Sequence, residues 1–259
     1  MSVERVEADC ATEHTADDWV RAVRRSIRVM REHLGDDYSL RELARSAWLS
    51  PFHFHRVFLK VTDSTPARFL AAWRMAEAKR MLATSRVSVT EICMRIGYSS
   101  LGTFTSQFTR AVGVPPGRFR RLVAAYGDRP CNDVLRAIRP AQPVDPALTV
   151  PVTGGPPGAL AVVGLFRSGI PQERPVECAI VAVPGSARFS VAPPDARPLA
   201  VVFDDSVTVA EAVADAELDR CWVAAGPDLR LRPRRPTDPP VVLALPLLLV
   251  TEQSVVPAA

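Results

Sequence analysis

The chain has 259 residues, with 32 Lys and Arg against 28 Asp and Glu, a length that allows two modest domains with separate cores. Residues 1–126 contain 20 basic and 13 acidic side chains, whereas residues 127–259 contain 12 and 15. A basic half suits a polyanionic partner. Only four of the 24 prolines precede residue 127. Because proline interrupts helices, the second half is not a helical bundle.

The cysteine pattern and the hydropathy exclude several further classes. The five cysteines are scattered, odd in number and without a CxxC pair, which argues against a zinc site or a disulfide framework. The N-terminus lacks the apolar core of a signal peptide. The longest apolar run, residues 241–250, is shorter than the roughly 20 residues that cross a bilayer. We expect a cytoplasmic protein with no membrane partner, and a buried strand or strand pair at residues 241–250.

The chain begins with a polar segment that is followed by an amphipathic helix. Residues 1–16 are polar, and we expect a disordered tail there. From Asp17, a suitable N-cap, apolar residues recur every three or four positions as far as Leu34, and arginines occupy the opposite face. Gly35 is expected to end this helix.

An internal repeat follows, because residues 39–69 and 88–119 share one pattern. Each copy begins with a Ser-x-x-Glu capping box, at Ser39 and at Ser88, and continues through a short helix and a tight turn. Each then has a second helix with apolar residues at i and i+4. This outline predicts two helix-turn-helix units in tandem, which is typical of a DNA-binding domain.

The second helix of the first unit, residues 51–60, is predicted to enter the major groove. Phe54, Val57 and Phe58 share one face and are expected to pack on the preceding helix. The other face is aromatic and basic, without an acidic residue, as expected of a helix that contacts DNA. The predicted DNA-binding residues of this helix are Phe52, His53, His55, Arg56 and Lys60.

A third apolar pattern, residues 66–83, predicts a helix about 27 Å long that joins the two units. Such a connector lets the two recognition helices reach successive major-groove segments about 34 Å apart, so that one monomer covers the site.

The corresponding helix of the second unit, residues 100–110, is anchored by Phe104 and Phe108 and is less basic. It either contacts bases or acts mainly through the DNA backbone. Its predicted DNA-binding residues are Leu101, Gly102, Thr103, Ser106, Gln107 and Arg110.

These residues resemble the AraC/XylS family of transcription regulators over residues 20–122. The matching positions are Ala44, Ser50, Phe54, Arg56, Phe58, Arg74, Ala78, Leu82, Glu91, Ile92, Gly97, Tyr98, Phe104, Phe108, Gly113, Pro115, Pro116 and Arg120. Asp63 stands where the family has glycine, and Cys93 where it has alanine.

The resemblance implies a seven-helix domain, predicted here at residues 17–126, that binds double-stranded DNA and works with RNA polymerase. It places the base-contacting positions of the first unit at Phe52, His55 and Arg56, and those of the second at Gly102, Thr103 and Ser106. Most relatives have a regulatory domain before the DNA-binding domain, so any sensor of this chain is expected in its second half.

The second half is predicted as a proline-rich linker, residues 127–158, followed by a small β-rich domain, residues 159–255. A short helix at residues 131–138 is compatible with the linker. Short apolar runs separated by prolines then suggest a β-sandwich that resembles the transthyretin or carboxypeptidase-regulatory type, with residues 170–176 joining its first two strands. Residues 208–218 are helical in pattern. Without histidine, a nucleophile–base pair or a metal cluster in residues 127–259, we expect no catalysis, metal or cofactor.

The fold class is therefore an all-α tandem helix-turn-helix domain followed by a mostly-β domain. The function expected is sequence-specific transcription regulation, with the C-terminal domain binding a small-molecule effector or docking a partner. Two alternatives stay open: a repair alkyltransferase directed to DNA, and an architectural DNA binder that tolerates any sequence.

Overall fold

The computed structural model describes residues 3–138, 141–167, 175–214, 218–235 and 238, with side chains from residue 17 onward. Helices occupy the first half and a sheet the second, as the sequence predicts. The apolar run at residues 241–250 and most of the predicted connection at residues 170–176 lie outside the described residues.

The first helix, α1, spans Val3–Glu32 and is longer than predicted. The sequence placed its start at Asp17, after a disordered tail, whereas the structure begins it at Val3. Residues 3–16 contain neither proline nor glycine, so nothing in the backbone chemistry interrupts a helix there. These residues have no stripe of apolar side chains at helical spacing, so the hydrophobic periodicity did not predict a helix there. Val23, Ile27 and Met30 are buried as predicted.

The first helix-turn-helix unit consists of α2, Leu40–Ser46, and α3, Pro51–Thr62. Ser39 and Glu42 form the predicted capping box: the Glu42 N–H donates to Ser39 Oγ at 3.3 Å, and the Ser39 N–H donates to the Glu42 carboxylate at 2.8 Å. Ser50 caps α3, and Asp63 ends it in the left-handed region at φ 52°. Asp63 thus adopts the conformation for which the family uses glycine.

The connecting helix α4 spans Pro66–Thr84, and its 19 residues extend about 28 Å. Unlike α3, it is buried on most of its surface, because two different sets of elements pack against it. Phe69, Leu70 and Trp73 join the core of α1, α2 and α3, whereas Met75 and Leu82 join the core of the second unit.

The second unit consists of α5, Val89–Arg95, and α6, Leu101–Val112, followed by α7, Pro116–Tyr126. The predicted capping box at Ser88 is only half formed. Ser88 Oγ accepts from the Glu91 N–H at 3.1 Å, but the Glu91 carboxylate pairs with Arg95 one turn along the helix. The Glu91 carboxylate, which was predicted to accept a hydrogen bond from the N-cap backbone, therefore forms an ion pair with Arg95 instead.

Aromatic packing repeats between the two units. Phe58 meets Phe69 edge-on with ring centroids 5.3 Å apart, and Phe108 meets Phe119 in the same way at 5.6 Å. Such edge-to-face pairs are favoured by the ring quadrupoles. The sequence repeat is therefore also a repeat of the core, and the second helix of each unit packs on the helix that follows it.

The predicted linker, residues 127–158, contains ordered elements. Cys131–Ile138 forms α8, the helix considered at the sequence level, and Cys131 and Leu135 are buried. Leu148–Gly154 forms a strand that was not predicted. Its burial is limited to alternate residues, and prolines flank it, so its composition resembled that of a linker.

A single sheet forms the C-terminal domain. Its strands are β1 (Leu148–Gly154), β2 (Leu160–Phe166), β3 (Glu177–Ala182), β4 (Gly185–Phe189), β5 (Arg197–Phe203), β6 (Cys221–Ala225) and β7 (Leu229–Pro233). They are hydrogen-bonded in the order β3-β2-β5-β6-β7-β1-β4, and every neighbouring pair is antiparallel except β1 with β7.

This sheet is nearly closed, and we call it the barrel. The Ser190 N–H, just after β4, donates to the Glu177 carboxylate at the start of β3 at 2.9 and 3.0 Å, so the two edge strands meet. The sequence predicted a two-sheet sandwich instead. Alternating burial is common to both folds. The structure differs because β7 pairs with β6 at one end and with β1 at the other, which joins all the strands into one sheet.

Both faces of β2 are buried. Ala161 and Val163 point into the barrel, whereas Leu160 and Val162 point outward into the core that also contains the second helix-turn-helix unit. The short helix α9, Val209–Ala214, packs on α4 and α7 on the same side. Backbone hydrogen bonds join the segment after α7 to α9 and the loop before it, from the Cys131 N–H to the Val207 carbonyl at 2.8 Å and from the Ala210 N–H to the Gly127 carbonyl at 2.9 Å.

Candidate nucleic-acid interface

The N-terminal part of α3 is presented to solvent by the burial of its opposite face. Phe54, Val57 and Phe58 are buried against α1 and α2, so Phe52 and Arg56 on the opposite side of α3 face outward. Phe52 is 81% exposed, an unusual position for a large aromatic ring in a folded domain. Arg56 is exposed one turn later, and His55 is half-buried. These are the three positions that the family resemblance assigned to base contacts.

The other two predicted residues of α3 are less available. His53 is half-buried, and its Nε2 is enclosed with no hydrogen-bond partner among the described residues. Lys60 is exposed but stacks on the Trp19 ring of α1, with Nζ 4.5 Å from the ring centroid. The spacing placed both on the polar side of α3, but His53 lies at the border of the buried stripe, and the long Lys60 side chain follows α1.

The second helix of the second unit, α6, has a similar exposed face with a different chemistry. Phe104 and Phe108 anchor it in the core, and its exposed side is small and polar. The predicted residues that are exposed on it are Leu101, Gly102, Thr103, Ser106 and Arg110. Gln107, predicted to pair with an adenine, is half-buried and accepts a hydrogen bond from the Tyr98 hydroxyl at 2.7 Å. That bond orients the Gln107 amide toward the protein.

Electrostatics distinguish this face from an ordinary surface. Neither α3 nor α6 contains an acidic residue, so nothing on these helices opposes a phosphate. Beneath α6, burial raises the pKa of Tyr98, while the cations Arg74 and Arg110 act in the opposite direction. The hydroxyl therefore remains a hydrogen-bond donor at neutral pH, and Arg110 contributes positive charge at this surface.

The two turns before the recognition helices have the same backbone conformation and different residues. Gly97 has φ 81°, and a Cβ there would lie 2.7 Å from the Gly35 carbonyl oxygen, so the position requires glycine. The equivalent residue of the first unit is Trp48, with φ 61°. Trp48 was not among the predicted DNA-binding residues. Comparison of the two repeats could have identified it, because a tryptophan stands where the other copy has glycine.

The barrel contacts the helical half through α8, α9 and the outer face of β2, which pack around α4 and α7. Phe52, Arg56, Thr103 and Ser106 remain exposed beside the described part of the C-terminal half. Among the described residues, no group of three or more His, Cys, Asp or Glu could hold a metal ion. No described helix is long and apolar enough to span a membrane.

The helical region matches a known family. A family model described as a helix-turn-helix domain matches residues 43–122. The uncharacterized HTH-type transcriptional regulator YobQ of Bacillus subtilis (strain 168) is 31% identical over 104 residues, which are 40% of this chain and 42% of that protein. The HTH-type transcriptional regulator Rv1931c of Mycobacterium tuberculosis is 33% identical over 94 residues, which are 36% of each chain.

Among solved structures, the DNA-binding domain of AdpA, a global transcriptional factor in complex with a target DNA, aligns with a TM-score of 0.38 and 31% identity over 40% of this chain and 93% of that one. The chain spans less than half the length of the two regulators named above. Both are transcriptional regulators, in agreement with the expectation that the chain is not an enzyme.

Proposed function

We propose that this chain, in which residues 43–122 form an AraC-type helix-turn-helix domain, is a sequence-specific transcription regulator that acts in the cytoplasm and contacts DNA with both α3 and α6. The observation that carries this proposal is the pair of exposed, acid-free recognition helices at the two ends of α4. The regulators that share this domain support the same role.

The chemistry of α3 suits direct contact with base edges. The Arg56 guanidinium can donate two parallel hydrogen bonds to a guanine, and the Phe52 ring can pack against a thymine methyl group. Both side chains are exposed on the face that α3 would lay in the major groove. We assign most of the sequence discrimination to these two residues, with His55 beside them.

We propose a weaker role for α6, which has hydroxyl groups where α3 has aromatic and basic groups. Thr103 and Ser106 can donate to phosphates or to base edges, and Gly102 offers only its backbone. A Cβ at Gly102 would meet nothing closer than Ser100 Oγ at 3.8 Å, so glycine is not required there for packing. Its absence of a side chain favours close approach of α6 to the DNA backbone.

We propose that the barrel regulates the DNA-binding domain, by binding a small-molecule effector or by docking a partner such as RNA polymerase. Its outer face shares one continuous apolar core with the second helix-turn-helix unit and the C-terminal half of α4. A change in the barrel would therefore act on the orientation of α6 relative to α3 through direct packing. Packed cores transmit such changes because they do not deform continuously.

The alternative of a repair alkyltransferase is disfavoured by the state of the described thiols. Such an enzyme needs a reactive thiolate. Burial raises the pKa of Cys131 and of Cys178 to about 12, and it also raises the pKa of Cys93. Cys221 is buried, with its Sγ 3.1 Å from the Leu218 carbonyl oxygen. Each of these groups is a protonated thiol at neutral pH or is closed off from a substrate.

Footprinting on the DNA upstream of the chain's own coding sequence tests the proposal. Protection of a discrete site of about two helical turns is expected, because two recognition helices contact successive major-groove segments. Uniform, weak protection along the fragment would favour the architectural alternative. Binding should weaken steeply as salt rises, since each neutralised phosphate releases counterions. A flat salt response would contradict the charge argument.

A further inference from the structure

The most strained residue of the first unit is also one of its most exposed. Trp48 lies in the turn between α2 and α3 with φ 61°, a left-handed conformation in which a bulky residue costs about 1–2 kcal/mol. Its side chain is nevertheless 81% exposed. Contacts of the Trp48 ring within the protein are therefore too few to offset the backbone strain or the exposure of the indole. An outlier of this kind points to a role outside the fold.

The neighbour of the Trp48 ring is a cation held in a fixed position. The guanidinium carbon of Arg25, on α1, lies 4.4 Å from the ring centroid. Arg25 Nη2 donates to the Ala47 carbonyl at 3.1 Å. Its Nε is enclosed with no hydrogen-bond partner among the described residues. The indole and the Ala47 carbonyl together hold the half-buried guanidinium beside the turn, and one such cation–aromatic pair contributes only modestly to the stability of the fold.

The surroundings of this pair are cationic and lie next to the groove-facing helix. Ser50, two residues after Trp48, caps α3, and Phe52 follows with its ring exposed. On α1, Arg24 and Arg28 flank Arg25 and are both exposed. A protein partner would be expected to find a larger apolar patch or acidic groups here. Exposed aromatic rings among arginines are complementary to a sugar-phosphate backbone instead.

We propose that Trp48 and Arg25 form a DNA-backbone contact that flanks the recognition helix α3. The indole packs against a deoxyribose, and the guanidinium that it orients neutralises the adjacent phosphate. This contact would set the depth and angle at which α3 enters the groove. It distinguishes the first unit from the second, where Gly97 leaves the same place without a side chain. The inference rests on the proposed DNA-binding function and adds two positioning residues to it.

The substitution Trp48→Gly tests the contact without damaging the fold. Glycine suits the left-handed turn, so the melting temperature should stay unchanged or rise. Affinity for the footprinted duplex should fall about tenfold, and affinity for a random duplex of the same length should fall by a similar factor, since a backbone contact carries no sequence information. DNA binding should change the fluorescence of Trp48. This change is measured as the difference between the fluorescence responses of the wild-type chain and of Trp48→Gly to added DNA.

Arg25→Ala should lower the dependence of log affinity on log salt by about one phosphate. Arg188→Ala, which removes an exposed charge from β4, serves as the matched control. It should leave both the affinity for DNA and the salt dependence of that affinity unchanged. If the wild-type chain leaves a footprint and Trp48→Gly binds both duplexes with unchanged affinity, the contact does not exist although the function stands. If the wild-type chain leaves no footprint, the proposed function itself fails. Loss of self-association in place of DNA affinity would assign the pair to a protein contact and overturn the inference.

Discussion

Arg74 and Arg120 brace the two helix-turn-helix units in the same manner. Arg74, on α4, donates from Nε to the Leu34 carbonyl at 2.9 Å and from Nη2 to the Asp36 carbonyl at 2.7 Å. Arg120, on α7, donates from Nη2 to the Val87 carbonyl in the loop before α5 and from Nε to the Leu82 carbonyl in the last turn of α4 at 3.4 Å. Each guanidinium thus fixes the loop that precedes the first helix of its unit. Both residues are among the positions that carry the resemblance to the AraC/XylS family, and their hydrogen bonds position the loops of the two units.

Replacing Arg120 by alanine should therefore destabilise the second unit. The substitution leaves the Val87 carbonyl of the α4–α5 loop and the Leu82 carbonyl of α4 without their charged donor, which costs about 1–3 kcal/mol. Lysine should not restore the stability, because a single ammonium does not reproduce the planar fork. Arg121→Ala, at the exposed neighbouring position, is the matched control. Equal denaturation midpoints for Arg120→Ala and Arg121→Ala would show that the brace contributes nothing.

Arg56 should carry sequence discrimination. Arg56→Ala should lower affinity for the footprinted site by about 1–3 kcal/mol and affect random DNA much less, since a guanine contact is lost. Arg188→Ala removes the same charge from the barrel and controls for net electrostatics. Competition binding on the two duplexes measures the difference. An equal loss on both duplexes would reduce Arg56 to a phosphate contact.

The helical half was predictable because its signals are local. Caps such as Ser39 and Ser50, the apolar spacing of Phe54 and Phe58, and the αL-tolerant Asp63 each act within a few residues, and the structure reproduces them. The orientation of individual side chains was less predictable. Gln107 was assigned to DNA from its position on α6, and its bond to Tyr98 depends on the packing of the preceding turn.

The closure of the barrel was not predictable from local patterns. The strand runs from β2 to β7 were identified by composition, but their order depends on distant pairs such as Val152 with Leu229. A fully apolar run such as Leu160–Phe166 indicates burial on both faces without indicating which elements cover them. In this chain the second helix-turn-helix unit covers the outer face of this strand, a contact that no local sequence pattern predicts.

Lys79 makes the stability of the chain depend on pH. This α4 side chain is buried, and burial lowers its pKa to about 7, against 10.5 for an ordinary lysine. Between these values the unfolded chain binds more protons than the folded one, so this contribution to stability rises with pH from about 7 to 10.5. The slope of the free energy of unfolding against pH is expected to approach about 1.4 kcal/mol per pH unit.

Lys79→Met, which keeps the length of the side chain, should remove this slope and stabilise the protein most at pH 7, where the folded wild-type chain still bears the cost of a buried charge. Lys60→Met, on exposed α3, should leave the slope in place. Urea denaturation midpoints at pH 7 and pH 9 measure the effect. A slope that survives in Lys79→Met would assign the pH dependence to other groups.

The shared core predicts that damage on the outer face of the barrel reaches the DNA-binding domain. Phe203 and Phe189 are both buried phenylalanines of the barrel, but Phe203 packs outward with the second helix-turn-helix unit, whereas Phe189 packs in the barrel interior. Replacing either by alanine should cost about 3–5 kcal/mol. Only Phe203→Ala should also increase amide hydrogen exchange in α4, α6 and α7, because local stability follows the packing that each element loses.

The same pair separates regulation through packing from simple unfolding. At a temperature where both variants remain folded, Phe203→Ala should weaken binding to the footprinted site, and Phe189→Ala should not, because α6 is positioned by the core that contains Phe203. Amides of α1, α2 and α3 should keep their protection in both variants, since those helices have a core of their own. If Phe189→Ala and Phe203→Ala alter exchange and DNA affinity alike, the barrel acts on the recognition helices only through global stability, and the proposed coupling through α4 is wrong.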